Sequence, residues 1–533
     1  MLQIRVLDAS NWEEHDLSIG HVYWRSSVSG RIPVDAKVTE PEAWATAQRG
    51  NWAAIIVQDE GTCLVTDGPR SFPILYIKQN KEWLISSDPQ KLLAELENPA
   101  LDESAAQEFL NACFVMGDQT LISGVRSVPA ASTVSLFKDE VGIAEEHIAL
   151  MPTAEDRLAP AETFEAFHNE LLQAFGKLLE DTPDRQLLVP LSGGADSRLI
   201  LAVLHELGAR NVHTFTYGFP EALEAKLSRE VAEGLGYRWH HVTFSARDLY
   251  HRWWRPETNS FLQDCWSGSA LPHIQDWYAL GDLRENPEIE DDAIVLPGHT
   301  IVGNEHDDWC FDPRIRIGKQ DMAEILAGHH LNQQGKAKKA LRSAYSKTKI
   351  NRFLEKHWHD ENPSSRSDVT TAFNLAERQA KYINNSMRGY EHFGFQWALP
   401  MLERNPWQLW LNGDKSLHDS ARVAYKQYVQ EKYTAQAGKT VEYWGVVNRL
   451  PKPLVFALDV LDKLRLKDTL EKLYSAHVCL KHPMGLEGFA GGLTKPQLAR
   501  SLYGGASIIG VYAQLFLEGR WVPNQEVLPP KIH

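Results

Sequence analysis

The sequence is poor in cysteine and has no long apolar run. Its five cysteines are scattered through 533 residues and form no C-x-x-C pair, which disfavours a disulfide framework and fits a reducing cytoplasm. No apolar run reaches about 18 residues, so no membrane span is predicted. The start, MLQIRVLDAS, lacks the basic and then apolar pattern of a signal peptide. We therefore expect a cytoplasmic protein without a membrane anchor.

An excess of basic residues is also absent. Lys plus Arg is 55 and Asp plus Glu is 70, so the formal net charge is −15. This balance argues against a dedicated DNA or RNA binder, although it leaves room for a local anion site. At about 150 residues per domain, the length predicts two to four domains.

The first 140 residues have the pattern of short strands joined by polar turns. This spacing predicts antiparallel hairpins in a sheet layer, followed by short helices over 88–95 and 102–115. The clearest apolar, β-branched segments are 52–58, 62–66, 73–78 and 82–86.

Strands and helices alternate after residue 160. This alternation predicts βαβ units and a parallel sheet, and from about 320 to 525 the sequence is mostly helical in pattern. The predicted strands are 186–191, 212–217, 239–244 and 293–297, and the predicted helices are 163–180, 196–207 and 221–235.

Residues 191–198, LSGGADSR, join a predicted buried strand to an amphipathic helix. Two glycines let the backbone approach a ligand, and the helix N-terminus supplies free N–H groups and a positive dipole end. The loop therefore predicts a polyphosphate site. The carboxylate of Asp196 would repel phosphates unless a divalent cation lay between them, so Asp196 is predicted to bind Mg²⁺. The residues assigned to this site are Leu191, Ser192, Gly193, Gly194, Asp196 and Ser197.

This loop resembles the pyrophosphate loop of the N-type ATP pyrophosphatases, and its surroundings are similar to those of the asparagine synthetase-like family. Residues 214–236 resemble the family's second strand and following helix, which implies that Tyr217 and Gly218 lie beside adenine. The resemblance implies ATP and Mg²⁺ as cofactors. Further segments similar to family motifs are 387–391 (MRGYE), 399–403 (LPMLE) and 424–428 (AYKQY).

The N-terminal part carries a second resemblance, to the class II glutamine amidotransferase domain of the same family. The similar segments are 67–76 (DGPRSFPILY), 86–93 (SSDPQKLL) and 117–129 (GDQTLISGVRSVP). The resemblance implies an α/β and α+β fold: an Ntn-type αββα sandwich, then an N-type ATP pyrophosphatase domain with a parallel α/β sheet and a helical C-terminal part. The implied division is an amidotransferase-like domain at 1–145, a linker at 146–160, an ATP pyrophosphatase domain at 161–525 and a tail at 526–533.

Glutamine-dependent members of the family use an N-terminal cysteine, which this sequence does not have. The chain starts Met1-Leu2, and its first cysteine, Cys63, falls inside a predicted strand. We therefore expect no glutaminase activity and a degenerate N-terminal domain that is retained as a scaffold. In this loss the sequence is similar to β-lactam synthetase-like members, which join a carboxylate to an amine.

A second departure follows the predicted strand 293–297. Gly298 fits the family's S-G-x-G-x-D-E pattern, but Val302 stands where its metal-binding aspartate is expected. The missing carboxylate has three candidate replacements, which are Glu305, Asp307 and Asp308. Two alternatives stay open: a site with a single metal ligand, and an inactive site. A zinc cluster of His299 with its acidic and histidine neighbours is disfavoured, because the spacing matches no common zinc pattern.

The resemblance implies a reaction in two steps: a substrate carboxylate attacks the α-phosphate of ATP, and a nitrogen nucleophile then attacks the acyl-adenylate. The family uses a lysine late in the domain, for which Lys439 is the first candidate, Lys426 the second and Lys452 the third. Glu391 or Glu403 is expected to deprotonate or bind the amine. The expected partners are a small-molecule carboxylic acid and an amine or ammonia, and a homodimer is open.

Two other functions stay open. The lost cysteine and the lost aspartate favour a non-catalytic scaffold or partner-binding pseudoenzyme, whereas the intact loop favours the ligase. A tRNA-modifying or thiolating pyrophosphatase would need a basic surface or a catalytic cysteine pair, and neither is visible.

Overall fold

A computed structural model describes residues 3–59, 61–138, 140–153, 157–219, 222–303, 312, 314–335, 343–358, 363–443, 476–477, 479–480 and 484–530. The N-terminal strands are β1 Gln3–Val6, β2 Glu13–Leu17, β3 Gly20–Ser26, β4 Trp52–Val57, β5 Thr62–Thr66, β6 Leu75–Gln79, β7 Glu82–Ser86, β8 Arg126–Ser127, β9 Ser132–Leu136 and β10 Glu145–Glu146. The helices of this part are α1 Pro41–Ala47, α2 Pro89–Glu95 and α3 Glu103–Ala112.

Two sheets form the N-terminal part, with the orders β1-β7-β6-β8 and β10-β9-β5-β4-β3-β2. Alternation along β4 sends Ile55 into the core and Ile56 to the opposite face, where Trp24, Trp44 and Trp52 pack together beneath α1. The predicted hairpins are present, since β4 pairs with β5 and β6 with β7, both antiparallel. Helix α2 packs on β7, which completes the αββα arrangement.

A five-stranded parallel sheet follows, with the order β13-β12-β11-β14-β15. Its strands are β11 Leu187–Pro190, β12 Val212–Gly218, β13 Arg238–Thr243, β14 Ile294–Val295 and β15 Gln396–Trp397. The helices around it are α4 Pro160–Asp181, α5 Asp196–Glu206, α6 Leu223–Gly234, α7 Ala246–Trp253, α8 Thr258–Cys265 and α9 Trp277–Arg284. Strand β15 was not predicted, because two residues are too short to carry a period.

Helices dominate the rest of the described chain. They are α10 Lys319–His330, α11 Ala344–His357, α12 Pro363–Asn374, a π-helix Leu375–Ile383, α13 Met387–His392, α14 Arg404–Leu411, α15 Val423–Ala437, α16 Lys495–Tyr503 and α17 Ile508–Leu517. The predicted fold class is therefore confirmed: a two-sheet N-terminal sandwich, a parallel α/β sheet and a helical C-terminal part. The proposed domain boundaries stay predictions.

The N-terminal part packs directly on the later elements. Arg31 forms an ion pair with Asp181 at the end of α4, with 2.7 Å between Nη2 and Oδ2. The Leu399 N–H donates to the Asn51 Oδ1 at 2.7 Å. No helix among the described residues is both long and apolar enough to cross a bilayer.

Candidate functional site

The LSGGADS loop lies where the order of the parallel sheet reverses. Strand β11 is central, with β12 on one side and β14 on the other. In such sheets the crevice at the carboxyl ends of the strands binds ligands. The loop leaves β11 at this edge, where the Leu191 N–H still donates to the Phe215 carbonyl at 2.8 Å, and enters α5 at Asp196.

The loop is closed on itself by hydrogen bonds. The Ser192 N–H donates to the Ser197 Oγ at 3.3 Å, and the Gly194 N–H donates to the Ser192 Oγ at 3.2 Å. The carboxylate of Glu224 lies near the Gly193 N–H, which partly offsets the burial that raises the pKa of this carboxyl. The positive end of α5 favours an anion beside the loop, and the N–H groups of Ser192 and Gly194 would have to exchange their serine acceptors to bind one.

Gly298 packs against the loop from the neighbouring strand. A Cβ at this position would lie 3.3 Å from the Ser197 backbone nitrogen and 3.4 Å from the Asp196 Cβ. The structure thus brings Gly298 together with the loop residues named from the sequence.

A cavity of about 260 Å³ opens beside the loop. Tyr217 lines it, and Gly218, with φ at +123°, ends β12 next to it. The hydroxyls of Tyr217 and Tyr390 donate to the two oxygens of Asp276 at 2.5 and 2.7 Å. Burial and this carboxylate raise the pKa of both phenols well above its ordinary value, so both keep their protons at neutral pH.

Two half-buried imidazoles also line the cavity. Burial lowers the pKa of His273 and of His299 to about 4, so both rings are neutral at pH 7. The Nδ1 of His299 is shielded from solvent and has no hydrogen-bond partner within the described part of the chain. His299 therefore offers a neutral nitrogen next to the loop.

Asp196 does not have the surroundings expected of a Mg²⁺ ligand. Both of its carboxylate oxygens lie 3.0 Å from the Nη2 of Arg422. The Nη1 of Arg422 donates to the carbonyl oxygen of Val302 at 3.4 Å, and the side chain of Val302 is a hydrocarbon. Among the described residues, no three His, Cys, Asp or Glu side chains converge as a metal-binding group. These residues therefore do not fit a protein-held Mg²⁺; Glu305, Asp307 and Asp308 lie outside the described residues.

The candidate lysines are not brought into the cavity. Lys439 lies at the C-terminal end of α6, since an added Cβ at Gly234, the last residue of that helix, would be 2.8 Å from the Lys439 Cε. Glu224, which lines the cavity, is ten positions earlier in α6 and about 15 Å from that end. The Nζ of Lys426 donates to the carbonyl of Ala421 at 2.7 Å. Lys452 lies outside the described residues.

The candidate carboxylates join the N-terminal part to the rest of the chain. Glu391 accepts from Arg25 at 3.2 Å, from Arg388 at 2.8 Å and from the Trp397 indole at 3.0 Å. Glu403 is half-buried near the Gly50 N–H, and desolvation raises the pKa of its carboxyl. Neither residue lines the cavity beside the loop.

The sequence reasoning missed several residues that line or adjoin the cavity. Tyr390 stood inside a motif noted for its glutamate, and Arg422 lay two residues before another noted motif. Asp276 and His273 line the cavity but carry no local signal, because they lie just before α9 and about 80 positions after the loop.

Comparison with known proteins points to one family. Residues 169–270 match the asparagine synthase family. No curated protein matches the chain. A solved structure described as a predicted subunit of tRNA methyltransferase from Methanocaldococcus jannaschii is similar at 20% identity over 34% of this chain and 91% of that chain, with a TM-score of 0.15. The family match covers the loop and the three strands β11, β12 and β13, and it implies an ATP-dependent enzyme of the ligase type.

Proposed function

We propose that this chain is an ATP-dependent carbon–nitrogen ligase that adenylates a substrate carboxylate and passes the acyl group to an amine or ammonia. The observation that carries the proposal is the SGGADS loop at the reversal point of the parallel sheet, next to a cavity with neutral polar side chains. The match of residues 169–270 to asparagine synthase supports the same reaction type.

In the first step a carboxylate oxygen of the substrate attacks the α-phosphorus of ATP. The bond from that phosphorus to the bridging oxygen breaks, and pyrophosphate leaves with the electron pair. The positive end of α5 is placed to stabilise the charge that develops on the leaving group. The side chain of Tyr217 and the end of β12 line the part of the cavity assigned to adenine.

In the second step a nitrogen nucleophile attacks the acyl carbon, and the bond to the phosphate oxygen breaks with release of AMP. The nitrogen must lose a proton, and the neutral imidazole of His299 is the base we assign to it. Negative charge on the nearby phosphate would raise the proton affinity of this ring, which burial holds low in the free protein.

The proposal includes no glutaminase step. Cys63 lies inside β5, where its Sγ is 3.5 Å from the Ser135 Oγ and where burial raises the pKa of its thiol. A buried, protonated thiol is a poor nucleophile. Nitrogen is therefore expected to come from an amine or from free ammonia, and the acid and the amine are both left open.

The test is exchange of labelled pyrophosphate into ATP across a panel of carboxylic acids. Exchange is expected only with the right acid, and Gly194→Val should remove it, because an added Cβ would lie 3.1 Å from the Ser192 Oγ. Gly176→Val is the matched control, since nothing lies within 4 Å of a Cβ there. His299→Gln should keep exchange but slow product formation. Product formed from glutamine would contradict the loss of glutaminase activity.

A non-catalytic scaffold is the second candidate, and one observation favours it. Polar groups of the loop already have partners in the chain, since the Ser192 and Gly194 N–H groups donate to serine hydroxyls and Asp196 binds Arg422. A pseudoenzyme of this kind would give no exchange with any acid, and Gly194→Val would change nothing.

A further inference from the structure

An arginine is bound to the aspartate of the loop. Arg422 Nη2 lies 3.0 Å from each oxygen of Asp196, and the two side chains are 19% and 24% exposed. The guanidinium carbon is 5.0 Å from the ring centre of Tyr425, and the Asp196 carboxylate adds to the burial that raises the pKa of this phenol. The pair therefore sits at the first residue of α5, beside the N–H groups of the loop.

The backbone around Arg422 is shaped to hold it there. Its φ is +55°, a left-handed conformation that is costly for a residue with a side chain. The Asp419 carboxylate accepts from the Val423 N–H at 3.2 Å and caps the helix that follows. At Gly303, with φ at +85°, an added Cβ would lie 2.6 Å from the Arg422 Cδ. A side chain at that glycine would displace the arginine.

The chemistry of the pair differs from that of a metal site. A guanidinium carries a permanent positive charge and can offer donors to a carboxylate and to phosphate oxygens at the same time. A protein-held Mg²⁺ needs several oxygen ligands in near-octahedral geometry. Here the oxygens of Asp196 are already engaged, and Val302 supplies no side-chain oxygen.

We propose that Arg422 provides, beside the loop, the positive charge that the phosphates of ATP require, and that Asp196 acts as a positioning residue for this arginine rather than as a metal ligand. The inference rests on the proposed function, because it assumes that phosphates bind at the loop. It implies that the chain binds ATP or pyrophosphate when divalent cations are removed.

The test is calorimetric titration of ATP, and of pyrophosphate alone, in EDTA and in excess Mg²⁺. The wild-type chain is expected to bind both ligands in EDTA. Arg422→Asn should weaken the binding of ATP and of pyrophosphate by about 10- to 100-fold, in EDTA and in Mg²⁺ alike, because charge-assisted hydrogen bonds are lost. Asparagine tolerates the left-handed backbone, so this variant is expected to fold. Arg422→Lys should recover part of the affinity, and Arg229→Asn, on the exposed face of α6, should change nothing.

A double-mutant cycle separates the two roles of Asp196. If Asp196 only positions Arg422, then Asp196→Asn should have a smaller effect than Arg422→Asn and should add little to it. The inference is overturned if the wild type binds ATP and pyrophosphate only with Mg²⁺, whatever the effect of Asp196→Asn; the ligase proposal then survives. If the wild type binds neither ligand in either condition, the ligase proposal itself fails.

Discussion

A buried ion pair between Glu377 and Lys381 holds residues 115–117, which follow α3. Loss of this pair should speed the hydrogen exchange of a single backbone amide. Glu377 accepts from the Gly117 N–H at 2.9 Å and from the Lys381 Nζ at 2.7 Å. Lys381, 3% exposed, also donates to the carbonyls of Val115 and Gly117 at 2.8 and 2.5 Å. The substitution Lys381→Met keeps the bulk of the side chain but leaves Glu377 buried without its cation.

The expected cost follows from this burial. Removing one partner of a buried ion pair costs about 3–5 kcal/mol. Because about 1.4 kcal/mol corresponds to a tenfold change, the Gly117 amide should exchange with deuterium about a hundredfold to several thousandfold faster. Hydrogen exchange with residue-level fragmentation by mass spectrometry measures this rate. The double variant Glu377→Gln/Lys381→Met, which leaves no unpaired charge, should recover much of the protection.

Two further lysines serve as controls. Lys349 pairs with Glu108 at 2.8 Å, and Glu108 accepts from the neighbouring Met116 N–H at 2.7 Å. Lys349→Met should therefore affect the Met116 amide most. Lys177→Met breaks an exposed pair on α4 and should change neither amide, since exposed pairs contribute about 0–1 kcal/mol. An unchanged Gly117 rate in Lys381→Met, with normal folding, would refute the reasoning.

Three more predictions concern pH and the loop. Burial raises the pKa of Asp67 to about 7, so its contribution to stability is fully present below its ordinary pKa of 3.8 and is lost as pH rises to about 7. The loss is about 4 kcal/mol, and urea unfolding of Asp67→Asn should lack this pH dependence. Gly298→Ala crowds a backbone nitrogen 3.3 Å away, so ATP titration should show binding weaker by about tenfold at a nearly unchanged melting temperature. Burial raises the pKa of Glu224, whose ionised form lies near the Gly193 N–H and repels phosphate. The affinity for ATP should therefore fall as pH rises. In Glu224→Gln, titration should show only the pH dependence that comes from the ionisation of ATP itself.

Local patterns were enough to predict the loop and the order of strands and helices around it. Each of the two apolar runs beside the SGGADS stretch indicates one buried element, and the two glycines indicate that the backbone can approach a ligand closely. The predicted strand 62–66 and the predicted helix start at Asp196 agree with the structure to the residue. Such features depend on neighbours in sequence, which is why one sequence suffices to find them.

The walls of the cavity could not be predicted in the same way. Asp276 joins Tyr217 to Tyr390 across 59 and 114 positions of the chain, and no periodicity reports such a contact. The expectation that a carboxylate beside phosphates needs a cation stays a prediction for Asp196. No local pattern indicates that the guanidinium of an arginine 226 residues away is bound to this carboxylate.

The bridge from Tyr217 through Asp276 to Tyr390 has a consequence for protein engineering. The stretch that matches asparagine synthase ends at residue 270, before the acceptor of both phenols and before β14 and β15. An excised fragment of this length would keep the loop but would lose the far wall of the cavity and one flank of its central strand. A chimera that exchanges the loop between relatives must therefore carry residues up to about β15 to keep all the walls of the cavity.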